Sequence, residues 1–301
     1  LHVVAREIDR DYTAASEGII IEYAWAEAAV DAHRVLGFDD AGGWGGALDV
    51  ADTGVDTNAL ARGRGVVLKH LASWDVRDPG VTARRAFKLC RDTSPIRLEY
   101  DCIGMGTNVK SEFNRLAIDE AVGMDWLDLS PWNAGGAVRD PLAHTAFLAD
   151  GKPDKRSPRN KDYFGNLKAQ AWWNVGRSFY RTFQAVSAHA RGELRVERDE
   201  SGEPVFVVPD EELGEARCRP GELISLDTQT LPKDLLSKLF KELSQATMGQ
   251  NARLQLMIDK APNGARSPNL ADALIMWRWP APRTSHARTS MFGPRVFSQG
   301  R

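Results

Sequence analysis

The sequence is poor in cysteine and has no long apolar runs, and both shortages limit what it can encode. Cys90, Cys102 and Cys218 are the only cysteines in 301 residues, and none lies in a CxxC or CxxH motif. A disulfide framework and a structural zinc site are therefore excluded, and a reducing cytoplasm is the expected setting. No apolar run approaches the ~20 residues that a membrane-spanning helix needs. The composition is otherwise that of a globular protein.

The chain also lacks a strong net charge, but its acidic and basic residues are concentrated in different segments. The formal net charge is −2 at pH 7, although residues 193–215 contain nine acidic residues and two arginines. Residues 152–161 contain five basic residues and one acid, and residues 283–301 contain four arginines and no acid. Such basic segments are candidate nucleic-acid contacts. The alternative is that these segments are solvated loops whose charge has no functional meaning.

The alternation of apolar and turn residues predicts an α/β fold. A first strand over 47–51 is followed by two more hairpin-linked strands, then by the order helix, strand, helix. The second half predicts a long amphipathic helix, an acidic β-hairpin over 193–212 and a final helix. Ser267 and Pro268 mark the start of that helix, as its N-cap and first residue.

Asp49 is predicted inside the first strand, where it shares a face with Ala47 and Ala51. An unpaired carboxylate on a central strand is strongly destabilising unless a cation binds it. We therefore expect a partner cation next to Asp49. An edge-strand aspartate in contact with water is the alternative.

Asp101 closes a predicted strand and comes just before the short glycine-rich segment 104–106. A carboxylate at the carboxyl end of a strand, beside a loop with little side-chain bulk, lies where α/β sheets bind ligands. Two alternatives stay open. Asp101 caps a turn, or the segment is a dinucleotide-binding loop that lacks its third glycine, as in a nicotinamide-dependent enzyme.

Asp272 is the single acid in a helix that is apolar on nearly all sides. The apolar residues are Leu270, Ala273, Leu274, Ile275, Met276, Trp277 and Trp279. A carboxylate in such a helix is either neutralised by burial or held by a cation. An aspartate at an exposed first turn, stabilised by the helix dipole, is the alternative.

Three aspartates without a histidine or cysteine cluster provide only oxygen ligands. Oxygen ligands suit Mg²⁺ or Mn²⁺ better than zinc. Two such ions about 4 Å apart can activate water and stabilise the leaving oxygen in phosphodiester cleavage. The residues therefore predict a metal-dependent nuclease with Asp49, Asp101 and Asp272 as catalytic residues and metal ligands.

Four segments, in this order along the chain, also form a recognisable pattern. They are Leu48–Asp56, Tyr100–Gly106, Tyr163–Trp173, and Asp259-Lys260 together with Ser267–Ala273. This pattern resembles the C-terminal nuclease domain of the large terminase subunits of tailed bacteriophages. The match extends from about residue 39 to residue 280.

The resemblance implies a ribonuclease H-like fold: a mixed central sheet flanked by helices, with an auxiliary acidic β-hairpin. Residues 39–280 would form this nuclease domain, residues 1–38 an N-terminal linker or helical segment, and residues 281–301 a basic C-terminal tail. It also implies two Mg²⁺ or Mn²⁺ ions, with Asp56 as a fourth or outer ligand, and cleavage of double-stranded DNA concatemers during genome packaging.

The resemblance further implies partners for this activity. Double-stranded DNA is the expected substrate, and the portal protein and the small terminase subunit are expected partners. The expected location is the host cell cytoplasm, and transiently the portal of the viral procapsid. The Gly-x-x-x-x-Gly-Lys-Ser/Thr motif is absent, so the ATPase domain is expected on another chain or in a removed part.

Lys168, Arg177 and Lys260 are candidate contacts to DNA phosphates, because their charge neutralises the backbone without reading bases. Ordinary solvated side chains are the alternative. Two other functions also stay open. One is a different ribonuclease H-like nuclease, such as a junction resolvase or a transposase core. The other is a non-catalytic module that docks to the portal.

Overall fold

A six-stranded mixed sheet organises the computed structural model, which describes residues 18–51, 56–76, 78–121, 123–146, 153–210 and 214–279. The strands are β1 (Trp44–Asp49), β2 (Asn58–Arg64), β3 (Val67–Trp74), β4 (Ile96–Asp101), β5 (Leu127–Trp132) and β9 (Ser225–Leu226). Their order is β5-β4-β1-β2-β3-β9, and β2 alone is antiparallel to its neighbours in this sheet. The carboxyl ends of β1, β4 and β5 therefore meet at one edge.

Helices cover both faces of this sheet. They are α1 (Tyr23–Ala28), α2 (Ala32–Leu36), α3 (Pro79–Arg91), α4 (Val109–Asp119), α5 (Asn160–Tyr163), α6 (Leu167–Ala190), α7 (Lys233–Leu243) and α8 (Asn269–Arg278). Short 3-10 helices occupy Gly104–Asn108, Pro220–Glu222 and Pro262–Gly264. No helix in the described ranges has the length and apolar character needed to cross a bilayer.

Alternation along β1 and β2 separates two hydrophobic cores. Leu48 and Leu60 pack with the side chains of α3 and α4 on one face. Ala47, Ala59 and Ala61 face the opposite core, which contains α6, α7 and α8. Because these side chains are small, α8 can lie directly on β1 and β2.

The segment before β1 packs into the core that contains α6. Ile20 and Ile21 are fully buried there, and Trp25 is nearly so. The Ile20 N–H donates to the Ala246 carbonyl at 3.1 Å. The boundary expected at residue 39 stays a prediction, and the basic tail over 281–301 lies outside the described residues.

The acidic β-hairpin forms as β6 (Arg195–Arg198) and β7 (Pro204–Asp210), and a third strand, β8 (Gly214–Cys218), pairs with β7. The Arg217–Glu197 ion pair joins the two outer strands across β7 at 2.8 Å, and the Arg219–Asp199 ion pair joins the residues that follow them at 3.1 Å. The acidic composition of this region is therefore partly compensated within the sheet.

A second small sheet leads the chain back towards the main sheet edge. It consists of β10 (Thr247–Gln250) and β11 (Leu256–Asp259), which pair antiparallel. The alternation of Leu254, Leu256 and Ile258 predicts β11, whereas no apolar alternation marks β10. Lys260 follows β11 directly.

Gly63 lets α8 approach β2. A Cβ atom at this position would lie 2.3 Å from Trp277 Cζ2 and 2.4 Å from the Val67 carbonyl oxygen. We expect Gly63→Ala to lower the free energy of unfolding by about 1–3 kcal/mol, because neither the ring nor the backbone can move away without strain. Urea unfolding measures this change.

Gly43→Ala is the matched control for Gly63→Ala. No heavy atom lies within 4 Å of a Cβ placed at Gly43, so its effect should stay within about 0.5 kcal/mol. Equal effects of the two substitutions would contradict the packing argument.

Candidate metal centre

Two aspartates end neighbouring parallel strands at the same sheet edge. Asp49 is the last residue of β1, not an internal one as the pattern predicts, and Asp101 is the last residue of β4. Leu48 is in register with Tyr100, so Asp49 and Asp101 follow at equivalent positions and point to the same face. Asp49 is buried and Asp101 half-buried.

Helix α8 brings the third carboxylate to this edge from the face that it covers. The side chain of Asp272 is 12% exposed and lies between two donors. Its Oδ1 accepts a hydrogen bond from the indole N–H of Trp172 at 3.3 Å. Its Oδ2 forms an ion pair with the Lys260 ammonium group. Asp272 is therefore not an exposed first-turn aspartate, which was the alternative.

Lys260 interacts electrostatically with all three carboxylates. Burial lowers the pKa of Lys260, but the nearby negative charges together raise it more, so the pKa lies above its ordinary value. These charges belong to Asp272, Asp49 and Asp101. The carboxylates therefore share one positive charge, which Asp272 contacts directly.

Burial and mutual repulsion disfavour the charged forms of the two strand-end aspartates. Burial raises the pKa of Asp49 well above its ordinary value, and the negative charge of Asp272 raises it further. Burial also raises the pKa of Asp101, while the backbone N–H of Ile103, which donates to Oδ1 at 3.0 Å, lowers it. Additional positive charge beside Asp49 and Asp101 would therefore favour their ionised forms.

The donor set has the chemistry that a hard divalent cation requires, because carboxylate oxygens line the site and a cationic group already lies among them. As the side chains stand in the described ranges, no three His, Cys, Asp or Glu residues form a group that could hold a metal ion. The ammonium of Lys260 occupies Asp272 Oδ2. The donor chemistry fits a divalent cation, and Lys260 now occupies one of the oxygens that such a cation would use.

Glu242 fixes the start of α8, and the sequence pattern does not reveal it. Pro268 is the N-cap residue, and no side chain of the cap itself accepts a hydrogen bond, contrary to the predicted Ser267 cap. Instead the buried carboxylate of Glu242, on α7, accepts from the backbone N–H groups of Leu270 at 2.8 Å and Ala271 at 3.1 Å. A negative charge there also complements the helix dipole.

Lys168 lies at the carboxylate site, one turn before Trp172 on α6. Burial lowers the pKa of Lys168, and the positive charge of Lys260 lowers it further. Asn166 caps the helix just before it by accepting from the Ala169 N–H at 2.8 Å. Lys168 and Lys260 are therefore close enough to repel each other electrostatically.

Arg177 and Asp56 are not brought into this arrangement in the same way. Arg177 lies about 13 Å further along α6 than Lys168, where it donates to the Thr145 carbonyl at 3.4 Å. Asp56 is half-buried just before β2. The charged groups that shift the pKa of Asp49 most do not include it, so its role as a ligand stays a prediction.

The glycine-rich segment after β4 has a steric explanation. It forms the 3-10 helix Gly104–Asn108. A Cβ at Gly106 would lie 1.7 Å from the Asp101 carbonyl oxygen. A glycine at this position is therefore required to turn the chain beside Asp101, whether or not a ligand binds there.

Comparison with solved structures finds chains of similar fold among nuclease domains. The chain is 26% identical to the nuclease domain of the large terminase subunit gp2 of bacterial virus Sf6, with a TM-score of 0.68, and the match covers 88% of this chain and 100% of that domain. A lysine-to-alanine mutant of that domain with calcium matches at 26% identity and a TM-score of 0.67, covering 86% and 98% of the two chains.

The same mutant with manganese and beta-thujaplicinol matches at 25% identity and a TM-score of 0.67, covering 88% of this chain and 100% of that chain. No protein-family model and no curated protein sequence matches the chain. These structures confirm the predicted resemblance to terminase nuclease domains. The mixed central sheet flanked by helices is therefore ribonuclease H-like, as predicted.

The raised pKa of Asp49 gives a pH-dependent prediction for the metal-free protein. A carboxyl group whose folded-state pKa exceeds its unfolded value stabilises the fold below the unfolded pKa, and this contribution is lost as pH rises through the folded-state pKa. Asn does not titrate. We therefore expect Asp49→Asn to be more stable than the parent at pH 8, by on the order of 1 kcal/mol or more.

Urea unfolding in EDTA at pH values from 4 to 8 measures this effect. The advantage of Asp49→Asn should shrink as the pH is lowered. Asp125→Asn, at an exposed position, is the control and should leave the pH profile unchanged. An Asp49→Asn variant that is less stable than the parent at pH 8 would contradict the repulsion described here.

Proposed function

We propose that the chain is a metal-dependent endonuclease that cleaves double-stranded DNA concatemers during viral genome packaging. It would act as the nuclease half of a terminase large subunit. The observation that carries this proposal is the convergence of Asp49, Asp101 and Asp272 around Lys260 on a ribonuclease H-like sheet. The likeness to gp2 nuclease domains solved with manganese or calcium supports it.

Asp49, Asp101 and Asp272 would hold two Mg²⁺ or Mn²⁺ ions, with Asp56 as a further ligand. When bound, such ions supply an activated water and stabilise the leaving oxygen of the phosphodiester. The protein contributes fixed carboxylates on two strand ends and one helix. Their burial and repulsion, seen in the raised pKa values of Asp49 and Asp101, favour binding of positive charge.

Lys260 and Lys168 would neutralise the phosphate that reacts. Lys260 contacts Asp272 directly, so its release from Oδ2 leaves an ammonium group beside the cation site. Lys168 is half-buried, and Lys260 and Asp272 influence it electrostatically. Two neighbouring ammonium groups would favour an anion between them. Arg177, further along α6, would contact a more distant phosphate.

The proposed partners follow from the same role. Double-stranded DNA is the substrate, and the portal protein and the small terminase subunit are the proposed assembly partners. The ATPase that drives packaging would be supplied by residues outside this chain. The proposed place of action is the host cell cytoplasm, and transiently the procapsid portal.

Single substitutions of the three acids test the nuclease proposal. Asp49→Asn, Asp101→Asn and Asp272→Asn should each reduce cleavage of plasmid DNA in Mn²⁺ at least ~100-fold, because each removes part of several kcal/mol of transition-state stabilisation. Asp125→Asn should cleave like the parent. Circular dichroism checks that each variant is folded.

Retained cleavage in the Asp49→Asn, Asp101→Asn and Asp272→Asn variants would overturn the assignment of these residues. A parent protein that neither binds Mn²⁺ nor cleaves DNA would favour the non-catalytic docking module. A strong preference for four-way junctions over linear duplex would indicate a junction resolvase instead.

Lys168→Ala and Arg177→Ala separate the two basic positions on α6. If each side chain contacts one phosphate, each substitution should reduce the slope of log K against log salt by about 0.9 in DNA-binding titrations. Of the two variants, only Lys168→Ala should also lower the single-turnover cleavage rate of bound DNA, because Lys168 interacts electrostatically with Asp272 and Lys260 and Arg177 lies further along α6. Equal loss of rate in both variants would contradict this division.

A further inference from the structure

Trp172 directs a polar group at the carboxylate site from inside the core. It is fully buried on α6 and is among the largest buried side chains of the described residues. Its ring packs in the core that α6, α7 and α8 form against the sheet. A phenylalanine ring could occupy an apolar environment of this kind without a polar atom. The indole N–H therefore calls for a separate explanation.

The explanation lies in the partner of that N–H. It donates to Asp272 Oδ1 at 3.3 Å. By contrast, the indole nitrogen of Trp279, which directly follows α8, is buried without a partner in the described residues. The indole N–H of Trp172, unlike that of Trp279, therefore has a hydrogen-bond partner, the Asp272 carboxylate on α8.

The two oxygens of Asp272 are held by donors of very different kinds. Oδ1 is held by a neutral donor on a rigid, fully buried ring. Oδ2 is held by the flexible side chain of Lys260, which is 33% exposed. Lysine can leave its partner by rotating its own chain, whereas the indole cannot move without repacking the core. Oδ2 is therefore the oxygen that becomes available.

The backbone around Asp272 is fixed as well. The Glu242 carboxylate holds the first turn of α8 through the N–H groups of Leu270 and Ala271. The Asp272 carboxylate can still rotate about its Cβ–Cγ bond. The hydrogen bond from Trp172 prevents this rotation. Together these contacts determine both the position and the orientation of the Asp272 carboxylate.

We propose that Trp172 is a positioning residue for the metal centre, whose indole N–H holds Asp272 Oδ1 so that Oδ2 alone faces the cation. This inference rests on the proposed metal-dependent function. A carboxylate that offers one oxygen suits Mg²⁺ and Mn²⁺, which take six ligands in near-octahedral geometry. Ca²⁺ takes more ligands and accepts carboxylates through both oxygens. Trp172 would thus favour the smaller cations.

Trp172→Phe tests this role, because it removes the N–H and keeps an aromatic ring. Trp173→Phe is the matched control: Trp173 is the next residue on α6, is also buried, and makes ring contacts with Tyr163 and Phe164. Binding of Mn²⁺ and of Ca²⁺ to the protein without DNA is measured by calorimetry, and urea unfolding records the loss of stability in each variant.

We expect Trp172→Phe to weaken Mn²⁺ binding about 10-fold or more, as for other residues that orient a metal ligand. Its Ca²⁺ affinity should change less than about threefold, and Trp173→Phe should change neither ion by more than this. Equal weakening of Mn²⁺ binding in the two variants, or equal weakening of both ions in Trp172→Phe, would overturn the proposal. No Mn²⁺ binding by the parent protein would overturn the metal site itself.

A second measurement leaves Trp172 unchanged, in case the variant does not fold. In spectra of the parent protein labelled with [¹⁵N]indole, the cross-peak that Asp272→Ala displaces belongs to the hydrogen-bonded N–H. This cross-peak should keep its downfield position and slow exchange in saturating Mg²⁺. A shift to the position it has in Asp272→Ala would show that the bond breaks when the cation binds, and would overturn the proposal.

Discussion

Repulsion among three partly or fully buried carboxylates is the constraint on which the rest of the site depends. Asp49, Asp101 and Asp272 come from distant parts of the sequence, and the fold brings their negative charges to one sheet edge. Lys260 supplies the positive charge that makes this arrangement tolerable. Under the proposed function this destabilisation would serve the metal site, because a site that is short of positive charge binds a cation more strongly.

The position of α8 follows from the same requirement. Small side chains on β1 and β2, together with Gly63, let the helix lie close enough to the sheet for Asp272 to reach the strand ends. Glu242 sets where the helix begins, and Trp172 sets how the carboxylate is turned. None of these contacts is unusual by itself. Together they fix the position of the two carboxylate oxygens of Asp272.

The sequence predicts the parts of this site that have a local signature. Asp101 ends an alternating strand, and Asp272 interrupts an apolar helix, so both stand out against their neighbours. Glu242 and Trp172 are missed because their partners are 28 and 100 residues away. One signal for Glu242 was present: an acid next to Leu243 on the apolar side of α7. Strands β8 and β10 are missed because their residues are mostly polar or glycine and show no extended apolar alternation.

The anchoring of the first described residues has a mechanical consequence. The chain at Gly18 to Ile21 is pinned against β10 by the Ile20–Ala246 and Met248–Gly18 backbone bonds, at 3.1 and 2.7 Å. Tension arriving along the polypeptide ahead of residue 18 would load these two bonds first. Because β10 pairs with β11, and β11 leads directly to Lys260, that load would then reach the carboxylate site.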